Sequence, residues 1–364
     1  MHKVRGALLA GGRGERMGPL TRRLCKPLLP YAGVCRLVDF TMANVVRSGV
    51  AETVVLSAPG ARDLIEHLLD KWDGHAGTRL HLGPHDDLVR GHRASAEMPL
   101  GERPPERGTA DALLTNADRI FAAGAEDLLL LHADHVYVFD YGPMLREHRA
   151  SKSDVTIGVQ RIERRFVSLF GMVETADDGT VRRLVEKPAH ATSDLVFTAF
   201  CLFRLPALKE ALSGLSALPD QAWQHDVSRD VIPAMIADGR RVRTFPVESY
   251  WADIGTVERY LLGHLQLVDR PGLLPFVDAP RTLPGAETMR VYGQRVLAAM
   301  APQPGVRVRN SVLYPGCVVE PGAEVESSVL LPGSRVCAGA VVRDTIVLEE
   351  QHVTDVRVGV DELG

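Results

Sequence analysis

Between Val306 and Val360 the chain repeats with a six-residue step, and few folds accommodate that period. Aliphatic side chains recur six apart at Val312 and Val318, at Val319 and Val325, at Leu330, Val336 and Val342, and at Val347 and Val353. Pro-Gly pairs stand at 304–305, 315–316, 321–322 and 332–333. A hexapeptide step, with aliphatic residues stacked inward and turn residues at the corners, is the period of a parallel β-helix. An array of antiparallel hairpins is the alternative for the same segment. The repeat is long enough for about three coils, and its open end needs a cap or a subunit contact, so a homo-oligomer is expected.

Upstream the pattern is different. Residues 4–10 form an apolar run that ends in Gly11-Gly12-Arg13-Gly14, as a strand opening into a glycine loop does. Strand-like stretches at 52–58, 127–132, 154–160, 180–187, 196–203 and 241–247 are interspersed with helix-like ones at 39–49, 61–72, 109–123, 228–238 and 256–268. Such alternation predicts a parallel sheet covered on both faces, with ligands at the carboxyl ends of its strands. The Pro-rich stretch 270–304 reads as a linker. The expected division is therefore a domain over 1–269, a linker over 270–304 and a repeat domain over 305–364.

Charge and cysteine usage exclude several classes. Forty-two basic residues against 46 acidic ones give a formal charge of −4, which supplies no bulk attraction to nucleic acid or a membrane surface. Apolar runs such as Leu128–Leu131 fall far short of a bilayer span. The first twelve residues reach Gly11 and Gly12 before a signal-peptide core could form. Five scattered cysteines without CxxC spacing suggest neither a disulfide framework nor a zinc site, and a reducing cytoplasm is the expected home. Only six basic residues are lysine and 36 are arginine, so a lysine inside a phosphate-like motif carries weight.

Two such lysines stand out. Leu9-Ala10-Gly11-Gly12-Arg13-Gly14-Glu15-Arg16 is followed by Lys26-Pro27. Glycines after a strand let backbone N–H groups approach phosphate oxygens, and Arg16 and Lys26 can neutralise the charge that collects there. The spacing fits neither a P-loop nor a dinucleotide fingerprint. The second lysine lies in Glu186-Lys187-Pro188, which on its own is also a common surface turn.

The string LAGGRGERMGPLTRRLCKPLLP resembles the opening of sugar-1-phosphate nucleotidylyltransferases, and RLVDFTMANVVRSG resembles the segment that follows it in the glucose-1-phosphate adenylyltransferase family. Further matches follow in order: Gly108-Thr-Ala-Asp-Ala112, Ala133-Asp134-His135-Val136-Tyr137, Phe170-Gly171, Val185-Glu186-Lys187-Pro188, His225-Asp226 and Tyr250-Trp251-Ala252-Asp253-Ile254-Gly255-Thr256. The resemblance implies a Rossmann-like α/β nucleotidyltransferase domain with a mixed, mostly parallel sheet, followed by a short left-handed parallel β-helix. It implies a reaction in which a sugar-phosphate oxygen attacks the α-phosphorus of a nucleoside triphosphate and pyrophosphate leaves.

Residue by residue, the same resemblance makes Arg16, Lys26, Asp134 and Asp253 catalytic, with Asp134 and Asp253 as ligands to Mg²⁺. It assigns Leu9, Ala10, Gly11, Gly12, Arg13, Gly14, Glu106, Gly108, Thr109 and Asp111 to the nucleotide, and Gly171, Glu186, Lys187, Phe197 and Asp226 to the acceptor. His225-Asp226 reads equally as a helix cap. A phosphate dianion is already nucleophilic, so no Ser-His-Asp constellation is needed.

Departures from the family pattern fall at the substrate. Glu106 stands where the adenylyltransferases have a tyrosine near the nucleotide, and Phe197 where they have a serine on glucose 1-phosphate. Replacing a hydroxyl by an apolar face disfavours a sugar hydroxyl and favours a less polar ring. The family also has members that join valienol 1-phosphate, an unsaturated carbocyclic sugar mimic, to a guanine nucleotide, and that guanylyltransferase reaction is the expected one, so the nucleotide is GTP, or ATP under the alternative that follows. Synthesis of ADP-glucose is the alternative, and a non-catalytic regulatory subunit a further one.

Overall fold

A computed structural model of the chain describes residues 3–12, 14–58, 61–83, 106–270, 272–273 and 280–360. The chain divides into two compact units that interleave along the sequence. The first comprises 1–12, 44–133 and 139–249, and the second 13–43, 134–138 and 250–364.

The first unit is built on a nine-stranded sheet. Val4–Ala10 lies at its middle and pairs in parallel with Glu52–Ser57 on one side and Asp127–His132 on the other. Arg79–His81 extends the first edge in parallel. The ten-residue strand Leu195–Arg204 runs antiparallel to Asp127–His132 and is where the sheet branches. It pairs antiparallel with Val155–Arg161, which carries Val242–Pro246 in parallel, while at Val196 it meets Gly171–Thr175. Val181–Glu186 closes that branch. Only Leu195–Arg204 and Val181–Glu186 run against the remaining strands, so the sheet is mixed and mostly parallel.

The central strands are largely apolar because both faces are covered. Leu128, Leu130, Val54, Ala7, Ile157, Cys201 and Phe203 share one core with Leu113, Leu208, Ile232 and Met235 from the flanking helices. Burying such a side chain contributes roughly 1.5–3 kcal/mol relative to exposure.

The second unit contains the repeat. Three parallel ladders form its faces. One stacks Val296–Ala298, Ser311–Leu313, Val329–Leu330 and Ile346–Val347; the second stacks Arg307–Arg309, Glu324–Glu326, Val341–Arg343 and Val356–Val358; the third stacks Val318–Val319, Arg335–Val336 and His352–Val353. The register is Val308 over Val325 over Val342, and Val319 over Val336 over Val353. Along these rows a coil takes 17 residues, one fewer than three hexapeptides, while the steps from Val296 to Ser311 and from Val341 to Val356 take 15. The corners repeat at the interval of 17, all with positive φ: Gly305, Gly322 and Gly339; Asn310, Ser327 and Asp344; Gly316, Gly333 and Glu350. The Pro-Gly pairs thus mark two corner rows, and Asn, Ser and Asp turn the third.

The helix begins ahead of residue 305. Within the stretch that reads as linker, Leu283, Ala286 and Met289 are buried. Arg290–Tyr292 pairs antiparallel with Val296–Ala298, itself the first strand of a ladder. Strands of three residues are too short to show a period of their own. Among the described residues no helix is long and apolar enough to cross a membrane.

Candidate active site

In the second unit, the hairpin of His135–Tyr137 with Trp251–Asp253 brings two distant loops together, with Asp253 opposite His135. Asp134 immediately precedes the first strand, so both carboxylates emerge at one end of the hairpin. Lys26 enters from the short 3-10 turn Lys26–Leu28. Its ammonium is buried, 2.6 Å from Asp134 Oδ2 and 3.8 Å from Asp253 Oδ1. The three residues singled out in separate motifs therefore form one cluster.

That cluster has further members, whose pairings the sequence alone does not reveal. His135 Nε2 lies 3.6 Å from Asp134 Oδ1 and 3.9 Å from Asp253 Oδ1. Trp251 Nε1 donates to His135 Nδ1 across 3.2 Å. Arg259, in the first turn of the helix Val257–Asp269, donates from NH1 to Asp253 Oδ2 at 2.9 Å. Thr256 caps that helix by accepting from Arg259 N at 3.3 Å, which fixes the turn between Asp253 and Arg259. His135 and Trp251 sit inside the quoted motif strings, but their pairing spans 116 residues and has no local signature.

The donor set suits a hard divalent cation. Two carboxylates converge on a single ammonium, which marks the spot as one where positive charge is favoured, and oxygen ligands suit Mg²⁺. Gly14 opens the preceding 3-10 turn, where its carbonyl accepts from Met17 N at 2.8 Å and Thr21 Oγ1 at 3.1 Å. Arg16 lies exposed in that turn, Glu15–Thr21. Arg13 lies outside the described residues.

The other expected residues belong to the first unit. Leu9 and Ala10 end the strand Val4–Ala10, and Gly11 and Gly12 follow it, exposed. Gly108 precedes the helix Thr109–Thr115. A Cβ there would sit 2.3 Å from the His225 carbonyl oxygen, so only glycine lets these segments meet. Thr109 Oγ1 then donates to Asp226 Oδ2 at 3.0 Å and accepts from Val227 N at 2.8 Å. Asp226 also caps the turn after it, its Oδ1 accepting from Ser228 N and Arg229 N. Its carboxylate thus carries the cap, one of the two readings open from the sequence.

Asp111 is bound by Arg107, through the backbone N–H at 3.0 Å and the guanidinium at 3.1 Å. Burial alone would raise its carboxyl, but these hydrogen bonds hold it below the usual carboxylate range. Glu106 is half-buried just ahead of them.

Glu186, Lys187, Gly171 and Phe197 gather at the end of two paired strands, where Glu186 faces Gly171. A Cβ on Gly171 would lie 3.0 Å from Glu186 Oε2 and 3.5 Å from Phe197 Cβ, so the missing side chain leaves room between the carboxylate and the ring. Lys187 Nζ is 3.7 Å from Glu186 Oε1. Burial pushes the Glu186 carboxyl above its ordinary value, with Lys187 opposing the shift and Asp226 adding to it. Phe197 is 8% exposed and packs with the main core, at a bend where pairing slips between Phe197 and Cys201 and Ala199 takes φ 61°.

A glycine loop after the first strand, two carboxylates around a lysine, and a mixed doubly covered sheet define a class. Residues 5–270 match the nucleotidyl transferase family and residues 295–363 the GlmU-like C-terminal hexapeptide family. The chain belongs to the nucleotidyl transferase family and ends in a left-handed β-helix. Enzymes of this family generally work with a divalent metal. Over 333 residues, 87% of each chain, it is 48% identical to valienol-1-phosphate guanylyltransferase of Streptomyces hygroscopicus subsp. limoneus. It is 37% identical over 323 residues to glucose-1-phosphate adenylyltransferase of Thermomicrobium roseum, covering 88% of this chain and 71% of that one. With the enzyme of the same name from Geobacillus stearothermophilus it shares 32% over 320 residues, 86% of this chain and 76% of the other.

Proposed function

We propose that this nucleotidyltransferase joins GTP to valienol 1-phosphate, forming GDP-valienol and pyrophosphate. The observation that carries the reaction type is the Lys26–Asp134–Asp253 cluster. Two anions must be held in line, and their repulsion has to be offset. A phosphate oxygen of the acceptor forms the new bond to the α-phosphorus. The bond from that phosphorus to the oxygen bridging the β-phosphate breaks, and its electron pair leaves with pyrophosphate. No base is required.

Asp134 and Asp253 would hold Mg²⁺, which would supply charge neutralisation at the phosphates. Lys26 and Arg16 add positive charge to the triphosphate, and Arg259 keeps the Asp253 carboxylate oriented. The glycine loop from Leu9 to Gly14 and the segment Glu106, Gly108, Thr109 and Asp111 bind the nucleotide, with Thr109 held by Asp226. Glu106 accepts from the guanine N1–H and exocyclic amine. In the acceptor site, Lys187 takes the phosphate and Glu186 accepts from ring hydroxyls. Phe197, beside the gap at Gly171, presents an apolar face to the carbocycle.

The 48% identity to a valienol-1-phosphate guanylyltransferase favours this acceptor over glucose 1-phosphate. A homo-oligomer is part of the same reading. Val356 and Val358, on the last strand of one ladder, are 64% and 50% exposed and offer an apolar surface to a second copy.

A panel of four nucleoside triphosphates against valienol 1-phosphate and glucose 1-phosphate, read as pyrophosphate release, tests the assignment. GTP with valienol 1-phosphate is expected to give the highest kcat/KM. A clear preference for ATP with glucose 1-phosphate would replace it with ADP-glucose synthesis.

A further inference from the structure

The imidazole of His135 lies against both carboxylates, and its neighbour Trp251 points to where its hydrogen sits. An indole N–H can only donate. Trp251 Nε1 directs its hydrogen at His135 Nδ1 across 3.2 Å, so Nδ1 is the accepting nitrogen. In the neutral ring the hydrogen is then on Nε2. Nε2 is also the atom that faces Asp134 Oδ1 and Asp253 Oδ1, at 3.6 and 3.9 Å. Both residues are buried, their rings meet edge to face at 5.4 Å, and the hairpin ladder holds the donor in register.

We propose that Trp251, acting through His135, makes this site select hard, oxygen-preferring cations over zinc-like ones. A ring nitrogen that carries a hydrogen has no lone pair for a metal. His135 thereby turns an N–H toward the carboxylates, 3.6 and 3.9 Å away, and is denied the role of third ligand. Imidazole is a strong ligand for Zn²⁺ and Co²⁺, and divalent metals of that kind outcompete Mg²⁺ and Mn²⁺ wherever a nitrogen joins the donor set. With Trp251 in place His135 adds no nitrogen to the carboxylate oxygens. Trp251 is a positioning residue in this scheme, which rests on the reading that Asp134 and Asp253 hold the metal.

Two measurements on the full chain test the proposal. Nitrogen NMR of ¹⁵N-histidine-labelled wild type, with the His135 signals identified by their loss in His135→Gln, reads the tautomer directly. The expected result is a hydrogen on Nε2; a hydrogen on Nδ1 overturns the proposal without any change at Trp251. Competition of Zn²⁺ against Mn²⁺, followed by the resonance of free Mn²⁺ without substrates, reads the selectivity. Trp251→Phe is expected to raise the Zn²⁺-to-Mn²⁺ affinity ratio roughly tenfold, the scale typical of partners that orient metal-site residues. Adding His135→Gln to that variant should return the ratio to the wild-type value. An unchanged ratio in Trp251→Phe, with Mn²⁺ still bound, refutes the role of Trp251. Equal Mn²⁺ binding by wild type and Asp134→Asn refutes the underlying metal assignment instead.

Discussion

Phe197→Ser restores the hydroxyl that the adenylyltransferases carry and opens space beside Gly171. One recovered neutral hydrogen bond contributes about 0.5–1.5 kcal/mol. That corresponds to a shift of roughly 2- to 13-fold in the ratio of specificity constants toward glucose 1-phosphate. The same ring belongs to the main core, and truncating a buried phenylalanine costs about 3–5 kcal/mol of stability. The variant must therefore be checked for a cooperative unfolding transition, and Phe197→Leu serves as its partner. Leucine retains an apolar side chain but supplies no hydroxyl, so it should leave the preference for the cyclitol in place. The assay is competition between the two acceptors with one nucleotide, which reads the ratio directly and is insensitive to the fraction of folded enzyme. An unchanged ratio in a folded Phe197→Ser variant would mean that Phe197 only packs, and the argument for a carbocyclic acceptor would lose its main structural support.

Asp134→Asn should keep the fold and abolish turnover, since an amide does not replace a carboxylate on the metal; retention of more than about a tenth of the wild-type rate at saturating Mg²⁺ would remove Asp134 from that role. Lys187→Ala should raise KM for the phosphorylated acceptor far more than KM for the nucleotide, and equal effects on both would count against its assignment. His264 is fully buried on the helix Val257–Asp269, bonded to the Tyr260 carbonyl and the Tyr314 hydroxyl, and burial pushes its pKa down from 6.5 to about 4. The folded state resists charging this ring, so stability should fall as pH drops from about 6.5 toward about 4, by about 1.4 kcal/mol per pH unit. Urea midpoints of wild type and His264→Phe should show a shallower acid decline in the variant, and parallel declines would contradict this role of His264.

The residues of the candidate site were legible where the signal is local. Lys26, Asp134 and Asp253 each sit in a distinctive string, and the paucity of lysine made Lys26 conspicuous before any distance was known. The pairings that complete the cluster were not. The bond from Trp251 to His135 depends on a hairpin between loops 116 residues apart, and Arg259 reaches Asp253 only because Thr256 starts a helix between them. Asp226 illustrates a different limit: the sequence left cap and substrate contact open, and only the hydrogen bonds from Ser228 and Arg229 show the cap. In the repeat, a six-residue spacing of aliphatic residues announced the β-helix. The 17-residue coil became visible only through the ladder register and the corner rows, because Asn310, Ser327 and Asp344 turn a corner without glycine.

The most direct test of the reaction follows oxygen through it. Valienol 1-phosphate carrying oxygen-18 in its phosphate is incubated with unlabelled GTP and Mg²⁺, and the products are read by mass spectrometry. Attack by the acceptor phosphate on the α-phosphorus predicts GDP-valienol that retains the full label, and pyrophosphate that has none. Label in pyrophosphate, or loss of label from the nucleotide product, would contradict the mechanism.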